Sequence, residues 1–506
     1  MTQTSAVPVI IGVGQTLGNS ERDGKPWEVA DLIQESLLCA DQDAGGHWLD
    51  KIDFLGVENQ TSSDVAPWPQ SDGFIDHLLA HLEIAPARTR LTDEPSGDGP
   101  VALLNHLANL IAEGEVEVGA IVGGEALRTA ARRSPEQLAS QANAMRDLTE
   151  KMTSPFLRKY GLVTPTDVYP LYETATRAHW GQSLTEAQDE TGVLWAGFSG
   201  AAMTNSGAWI QTEYTTDMIK TVSDRNRMIT FPYTKLMVAN NAVNMGAAVI
   251  VTSLDKALAM GIPQDQMIFI GAGAAAHESK DFLARDSYAG SPAMQVSISS
   301  ALELNNLGTD DLDFVELYSC FPCVVKMARR VLGWPLERSP SVYGGLTFGG
   351  GPIGNCMMHA IVVMTQKLRK EGRNGLIFAN GGFATHNHSI VLTREKPDQP
   401  RFPQDFNYQA EADQLRGSRP ELDGSYAGPG VIEAYSVPYG RDGKPVFGTI
   451  VARAPDGRRF VSRVAGDDLA GLAFLTSGQN EPVGTQGFAE TAADGLSYWQ
   501  GQQQET

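Results

Sequence analysis

A repeated arrangement of helices and strands limits which folds this chain can adopt. The stretch VADLIQESLLCADQ (29–42) has helical spacing and leads into the strand-like IDFLGV, and MQVSISSALELNNLG (294–308) leads in the same way into LDFVEL. Asp53-Phe54 therefore recurs as Asp313-Phe314, at an offset of 260 residues. A helix–strand unit that recurs at such an offset is typical of a duplicated α/β chain.

A second pair of units follows in the same order. GPVALLNHLANLIAEG precedes AIVGGEA in the first half, and GNCMMHAIVVMTQKLRKEG precedes LIFANGGFA in the second. These segments align Gly123-Gly124 with Gly381-Gly382 at an offset of 258 residues. Two matches at nearly equal offsets predict two related α/β halves that form a layered fold.

The halves have unequal length. Residues 1–255 are predicted to form the first half, and residues 256–395 the second. The first half contains a segment rich in polar and aromatic residues, at about 130–235, which we interpret as an inserted helical loop region that could cover a site.

The composition changes after Leu392. Residues 396–425 are polar and rich in proline, as linkers are. Residues 426–506 contain short strand-like runs, with Asp442-Gly443 and Asp456-Gly457 as hairpin turn signals between them. We expect a small β-domain here, a partly open barrel of the OB type.

The net charge excludes two classes of partner. The chain has 39 basic and 60 acidic residues, a net charge of −21, and a surface of this sign repels nucleic acid and anionic lipid. No apolar run reaches the roughly 18–20 residues that span a bilayer, and the start of the sequence lacks the basic segment of a signal peptide. We expect neither nucleic acid nor membrane as partner, and a cytoplasmic protein.

The four cysteines are too few for a disulfide framework in a chain of 506 residues. Cys320 and Cys323 form a CxxC motif at the start of a predicted helix, where a helix N-terminus stabilises a thiolate. A redox pair and buried, inert thiols are both compatible with this motif.

Two glycine-rich segments run into predicted helices at corresponding places of the two halves. SGDGPVALL contains Gly97 and Gly99, and TFGGGPIGNCMMHAI contains Gly351 and Asn355. Amides at a helix start can hold an oxyanion or a phosphate, and a pseudo-dyad between the halves would bring both starts to one pocket. Ordinary glycine-mediated helix entries are the alternative.

His386 and His388 follow the Gly381-Gly382 turn and would face the same side of a strand. Imidazoles in this position suit proton transfer near neutral pH, whereas solvated loop histidines are the alternative. No acidic partner stands at ligand spacing, so we predict no metal site.

These motifs together resemble the thiolase superfamily over residues of about 5–395, with the closest likeness to its sterol-carrier-protein-type and thiolase-like branch. Tyr318-Ser319-Cys320-Phe321 corresponds to the family's HDCF box, and GGPIGN to its GHPIGA box. VNMGAAVIV (243–251) is similar to the segment that closes the first half. The C-terminal β-domain resembles the extra domain of some thiolase-like proteins.

The resemblance implies Claisen chemistry on acyl-CoA, but the decisive residues differ. The nucleophilic cysteine corresponds to Gly97, the activating histidine to Gly351, and the second cysteine is missing from the turn that ends in Gly381. Of the usual set only Cys320 remains, beside Tyr318 in the place of the box histidine. The candidate catalytic residues are therefore Tyr318, Cys320, His386 and His388, and the candidate substrate-binding residues are Gly97, Gly99, Gly351, Asn355 and Gly381.

Three functions remain open. The first is a non-classical enzyme on acyl-CoA thioesters, such as a retro-aldolase that cleaves β-hydroxyacyl-CoA without an acyl-enzyme. The second is an acyltransferase with Cys320 as the nucleophile. The third is a non-catalytic acyl-CoA or lipid-binding protein. In each case a coenzyme A thioester is the small-molecule partner, no tightly bound cofactor is implied, and the chain is a homodimer or a monomer.

Overall fold

The computed structural model describes residues 6–19, 23–134 and 153–501, and no helix in these ranges is long and apolar enough to cross a membrane. The first half alternates strands and helices up to the insertion. Its elements are β1 (Pro8–Leu17), α1 (Val29–Asp43), β2 (Phe54–Val57), α2 (Phe74–Leu82), β3 (Arg88–Leu91), α3 (Gly99–Ala112) and β4 (Val118–Ala126).

The inserted region is mainly helical, as predicted, although residues 135–152 of it lie outside the described residues. Its two long helices each begin with a capping box, Thr164 with Asp167 and Ser183 with Glu186, which satisfies N–H groups of the first turn. The elements are α4 (Leu127–Ala130), α5 (Pro155–Lys159), α6 (Pro165–His179), α7 (Leu184–Thr204), α8 (Thr216–Lys220), β5 (Met228–Phe231) and β6 (Tyr233–Thr234).

Strand β7 (Asn244–Ser253) returns the chain to the first half, and the second half follows. It consists of α9 (Leu254–Ala259), β8 (Ile268–His277), α10 (Pro292–Leu304), β9 (Phe314–Leu317), α11 (Pro322–Leu332), α12 (Cys356–Lys370), β10 (Asn374–Gly381) and β11 (His386–Thr393). The strands of both halves form one sheet of nine, in the order β3-β2-β4-β7-β1-β8-β11-β10-β9. The halves join where β1 pairs with β8 through only two residue pairs.

The two halves repeat each other in hydrogen bonding as well as in topology. The carboxylate of Asp53, ahead of β2, accepts two successive backbone N–H groups at the start of β4. The carboxylate of Asp313, ahead of β9, accepts two successive N–H groups at the start of β10. The recurring aspartates therefore have the same role in each half, which is to accept backbone N–H groups of a neighbouring strand.

The glycine pairs do not correspond as the sequence suggested. Gly119 lies opposite the first residue of β2, and Gly375 lies opposite the first residue of β9. Counted from these positions, Gly123 corresponds to Ala379, two residues before Gly381. The duplication is confirmed, but the two glycine pairs stand two residues apart in the correspondence of β4 with β10.

Helices α3 and α12 lie at the centre of the molecule. Most residues of each are buried, and each contacts strands of both halves. Burial on all sides explains their nearly continuous apolar sequences. The central position brings their N-termini, with the two glycine-rich segments, into the region between the halves.

The C-terminal strands close into a small barrel. They are β12 (Gly428–Pro438), β13 (Gly448–Arg453), β14 (Arg459–Val464), β15 (Gln486–Thr491) and β16 (Ser497–Gly501), after a short helix α13 (Gln409–Leu415) and with α14 (Leu469–Thr476) between β14 and β15. The order β12-β13-β14-β16-β15 returns to β12, with β14 and β16 parallel. Gly443 and Gly457 have positive φ in the two predicted hairpin turns. The predicted mixed α/β fold with a small OB-like β-domain is confirmed.

The barrel is attached to both halves of the α/β body. Strand β12 continues its pairing onto β5 of the insertion, through Val437 opposite Phe231. The fully buried Arg459 of β14 donates to the carbonyl oxygens of Leu283 and Arg285 in the second half, each at 2.6 Å.

Candidate functional site

The position that corresponds to the thiolase nucleophile is filled by other groups. A Cβ atom on Gly97 would lie 2.2 Å from the carbonyl oxygen of Asn380 and 2.5 Å from the hydroxyl of Tyr318. Both distances are far below van der Waals contact. No side chain fits at residue 97 unless these neighbours move.

The corresponding positions of the other half show the same packing. Glu58 follows β2 as Tyr318 follows β9, and a Cβ atom on Gly354, just before α12, would lie 2.7 Å from the Glu58 carboxyl. Glu58 also lies against Gly99, where a Cβ atom would be 2.0 Å from its Oε2. Each helix start thus receives a side chain from the opposite half, as expected for a pseudo-dyad. Burial raises the pKa of Glu58 well above its usual value.

Beside Gly97, Asp98 and His386 form an ion pair. His386 Nδ1 lies 3.4 Å from Asp98 Oδ1, and the two side chains are 17% and 11% exposed. Burial alone would raise the pKa of Asp98, but His386 and the Ser96 hydroxyl hold it at about 2. Burial likewise opposes the charge of His386, yet Asp98 raises the pKa of His386 above its ordinary value. Each partner therefore stabilises the charged form of the other.

The strand end after Gly381 completes this cluster. A Cβ atom on Gly381 would lie 2.1 Å from Ser96 Oγ and 2.7 Å from Asp98 Oδ1. Ser96 Oγ donates to Asp98 and lies 3.3 Å from His386 Nδ1. In a hydrolase triad the serine and the acid face opposite nitrogens of the histidine, whereas here both face Nδ1. The cluster is therefore an acid–base pair and not a nucleophile triad.

His388 faces the same side of β11 but is held in a different environment. Its Nε2 lies 2.7 Å from Asn105 Nδ2, and its ring stacks on Phe406 at 5.2 Å. Burial lowers its pKa to about 4, so it is neutral at physiological pH. These contacts favour a packing role for His388 and leave His386 as the histidine suited to proton transfer.

Cys320 lacks the properties of a nucleophile. It is 8% exposed and contacts the hydroxyl of Tyr169, and burial raises the pKa of its thiol to about 12. Cys323 is fully buried, and its Sγ lies 3.6 Å from the carbonyl oxygen of Tyr169. Burial outweighs the stabilisation that the start of α11 would give a thiolate, which favours buried, inert thiols over a redox pair.

Gly351, which the resemblance aligns with the activating histidine of thiolases, is also enclosed. A Cβ atom on Gly351 would lie 2.9 Å from Asn241 Oδ1 and 3.2 Å from the Asn240 carbonyl oxygen. Asn355 is the N-cap residue of α12 and is 1% exposed, but its side chain makes no capping hydrogen bond. Neither its Oδ1 nor its Nδ2 has a hydrogen-bond partner among the described residues.

Three side chains clamp the turn between β10 and β11. Tyr169 donates to the Gly382 carbonyl at 2.8 Å, and Tyr172 donates to the Phe383 carbonyl at 2.9 Å. Arg285 Nη2 donates to the carbonyls of Phe383 and the next residue at 2.7 and 2.8 Å. Because the turn includes positive φ angles at residues 382 and 384, these bonds hold a conformation that the chain alone disfavours.

The structure thus brings some of the predicted residues together and separates others. Gly97, Tyr318, Gly381 and His386 meet around Asp98, and Gly99 and Asn355 lie with Glu58 at the neighbouring helix start. Gly351, Cys320 and His388 are fixed by other neighbours. Within the described ranges, no three His, Cys, Asp or Glu side chains cluster in a way that could hold a metal ion.

Sequence reasoning missed Asp98, Glu58 and Asn380. An aspartate directly before a helix is usually a capping residue, and only the approach of β11 makes Asp98 a partner of His386. The sequence does contain one indication that Glu58 belongs to the site. In the repeated unit, Glu58 occupies the position that corresponds to Tyr318.

Comparison with solved structures agrees with this architecture. The crystal structure of a monomeric SCP2-thiolase like protein type 1 from Mycobacterium smegmatis is 26% identical, with a TM-score of 0.80 over 98% of this chain and 99% of that chain. The Ltp2-ChsH2(DUF35) aldolase is 19% identical, with a TM-score of 0.59 over 78% of this chain and 99% of that chain. Human mitochondrial 3-ketoacyl-CoA thiolase in complex with CoA is 14% identical, with a TM-score of 0.55 over 77% of this chain and 98% of that chain.

These likenesses, with the repeated halves and the central helix starts, show a thiolase-like fold, as the sequence predicted. No curated protein matches the chain. Residues 412–491 match the family model described as the additional C-terminal domain of thiolase-like protein type 1. The chain therefore has a thiolase-like fold and a C-terminal region similar to this additional domain.

Proposed function

We propose that the protein is an enzyme that cleaves a carbon–carbon bond in a β-hydroxyacyl-CoA by a retro-aldol reaction, without an acyl-enzyme. The observation that carries the proposal is the packing of Tyr318 and Asn380 against Gly97, beside the Asp98–His386 pair. The site has acid–base groups where a thiolase has a nucleophile. A retro-aldol reaction needs a base and stabilisation of an enolate, but no covalent intermediate.

In this proposal His386 is the base. Asp98 at Nδ1 orients the ring and leaves Nε2 to take the proton of the β-hydroxyl group. The bond between the α- and β-carbons then breaks, the β-carbon leaves as a ketone or aldehyde, and the electron pair forms the enolate of the thioester. The imidazolium returns the proton to the α-carbon, which gives a shortened acyl-CoA.

Two further residues have properties that suit this reaction. Tyr318 is half-buried with its hydroxyl beside Gly97, and burial raises its pKa well above the usual value, so it remains a hydrogen-bond donor. Asn355 supplies a buried amide that has no acceptor among the described residues. Preorganised donors of this kind stabilise the oxygen of an enolate. We assign enolate stabilisation to these two side chains.

The names of two structural neighbours are compatible with the proposal. One structural neighbour is an aldolase, and another is a thiolase bound to CoA. An acyltransferase with Cys320 as nucleophile receives no support, because burial raises the pKa of this thiol to about 12.

We also propose that the protein is a cytoplasmic monomer. The edge strand β3 is short and largely exposed and carries Arg88 and Arg90. Charged side chains on an exposed edge strand oppose pairing with a second copy. The neighbour from Mycobacterium smegmatis is itself described as monomeric.

The test is incubation of the purified protein with panels of β-hydroxyacyl-CoA, β-ketoacyl-CoA and acyl-CoA, with products identified by mass spectrometry. We expect a carbonyl product and a shortened acyl-CoA from the first panel, with no mass added to the protein. His386→Gln should lower kcat/KM by about 10²-fold to 10⁴-fold, the usual effect of losing a general base. His81→Gln is the matched control, because His81 pairs with Asp31 at 3.5 Å on another part of the surface.

Two results would overturn the proposal. Saturable binding of all three panels without turnover would indicate a non-catalytic binding protein. A covalent acyl adduct on Cys320 would indicate an acyltransferase.

A further inference from the structure

The C-terminal barrel contains a cavity that the proposed active site does not use. Strands β14 and β16 pair at one position, Arg463 opposite Tyr498, and a cavity of about 610 Å³ opens where they diverge, beside α14. Its apolar walls include Ile450, Phe474 and Trp499. Ligand cavities in proteins usually have volumes of about 300–1,000 Å³ and mainly apolar walls. This cavity has the size and lining of a small-molecule site.

The polar groups around the cavity restrict the charge of a ligand. Gln486 and Gln500 lie at its rim, and Asp468 is the one charged lining residue in the part of the chain that the structure describes. Asp468 already accepts a backbone N–H of α14 at 2.9 Å. No basic side chain among the described residues lines this cavity, so none of them compensates a carboxylate or a phosphate that enters it.

Trp499 provides a second, independent observation. The residue is 5% exposed, and its indole N–H makes no hydrogen bond with the part of the chain that the structure describes. The indole N–H can only donate, so without a partner in the protein it is available to water or to a ligand. At the wall of a cavity, this group is positioned to donate to a ligand oxygen.

We propose that this cavity binds an uncharged, mainly apolar small molecule whose carbonyl or hydroxyl oxygen accepts a hydrogen bond from Trp499. The site is separate from the Asp98–His386 pair and does not depend on the proposed reaction. A coenzyme A ester, with its phosphates, is excluded from it by charge.

The test uses Nile red, an uncharged dye with a carbonyl oxygen, titrated into the full-length protein. We expect saturable binding with one dye per chain, a blue-shifted emission and quenching of tryptophan fluorescence. Decanol should displace the dye, and decanoate should not. Trp499→Phe, which keeps an aromatic ring but removes the N–H, should raise the dissociation constant about fivefold, the loss expected for one hydrogen bond.

A matched pair of variants separates this cavity from other apolar surface. Ala470 lines the cavity on α14, whereas Ala259 is exposed on the short helix α9 and lines none of the described cavities. Ala470→Phe should abolish saturable binding, and Ala259→Phe should leave it unchanged. Circular dichroism and the melting temperature establish that both variants fold. Trp499→Phe tests the proposed hydrogen bond independently of the two alanine positions. Any one of three results would overturn the proposal. These are absence of dye binding by the wild type, equal dye binding by Ala470→Phe and Ala259→Phe, and displacement of the dye by decanoate as effective as that by decanol.

Discussion

Replacing Gly97 with alanine should destabilise the protein, because the new methyl group has no space. It would lie 2.2 Å from the carbonyl oxygen of Asn380 and 2.5 Å from the hydroxyl of Tyr318. Normal contact distances exceed these values by roughly 1 Å. The Tyr318 ring can rotate in part, but the Asn380 carbonyl belongs to β10 and is fixed by pairing with β11.

The expected loss of stability follows from two opposing effects. Overpacking a well-filled interior costs about 1–3 kcal/mol. Replacing a glycine whose φ angle suits other residues stabilises the folded state by about 0.4–1 kcal/mol, through the unfolded chain. The net expectation is destabilisation by about 1–2 kcal/mol. At about 2–4 °C per kcal/mol for domains of 150–250 residues, and less for longer chains, the melting temperature should fall by a few degrees.

Differential scanning fluorimetry measures this change directly. Gly200→Ala is the matched control, because Gly200 is exposed within α7 and a Cβ atom there would have no neighbour within 4 Å. Alanine in a helix interior is favoured over glycine by about 1 kcal/mol, so this control should raise the melting temperature. A double variant that adds Tyr318→Leu tests the contact itself, and its effect should be smaller than the sum of the single effects.

The reasoning would be refuted if Gly97→Ala matched or exceeded the wild type in melting temperature. Strict additivity of Gly97→Ala and Tyr318→Leu would also refute it, since the two residues would then not be in contact. If the packing is as described, Gly97→Cys should not restore a nucleophile, and mass spectrometry after incubation with acyl-CoA should find no adduct at that position.

Three further predictions concern titratable groups. By NMR titration, the pKa of His386 should lie above its ordinary value, and Asp98→Asn should lower it, because the carboxylate stabilises the imidazolium. The rate of the proposed retro-aldol reaction should therefore rise with pH through the pKa of His386. An unshifted NMR titration in Asp98→Asn would contradict the pairing. Burial lowers the pKa of His359 to about 3, so between this pH and about pH 6.5 the unfolded chain binds a proton that the folded chain excludes. The free energy of unfolding should therefore fall from about pH 6.5 toward pH 3, by at most about 5 kcal/mol. Urea unfolding of His359→Gln should show a weaker loss over this range, and an unchanged pH dependence would contradict the assignment. Iodoacetamide should modify the exposed Cys39 of the native protein at pH 8 and leave Cys320 unmodified, because the Cys320 thiol is buried with a pKa raised to about 12. Rapid modification of Cys320, detected in peptide maps, would contradict this burial.

Local patterns were sufficient for the architecture. Asp53 and Asp313 marked equivalent positions because each accepts backbone N–H groups of a neighbouring strand, a role that depends on short-range geometry. The Asp-Gly pairs marked the hairpins of the barrel because their glycines adopt positive φ angles. Such signals are local, so a single sequence displays them.

The site was only partly predictable, because its chemistry depends on residues distant in sequence. The resemblance located Gly97 and Tyr318, but the sequence does not show that one fills the space of the other. In the sequence Cys320 is a candidate nucleophile, and only its burial in the structure argues against this role. His386 and His388 are equivalent in the sequence, two residues apart on one strand, and only their partners distinguish them.

The sequence by itself determined the two α/β halves, the C-terminal β-domain and the acidic charge. Hydrophobic periodicity, turn chemistry and residue identity fix these properties, and each can be read within a short segment. Only the tertiary structure decided which groups share the site. The pairing of Asp98 with His386 requires α3 of one half to meet β11 of the other, and the neutral state of His388 requires burial against Asn105. Charge, pKa and available space are properties of the assembled neighbours, and packing between the halves brings those neighbours together.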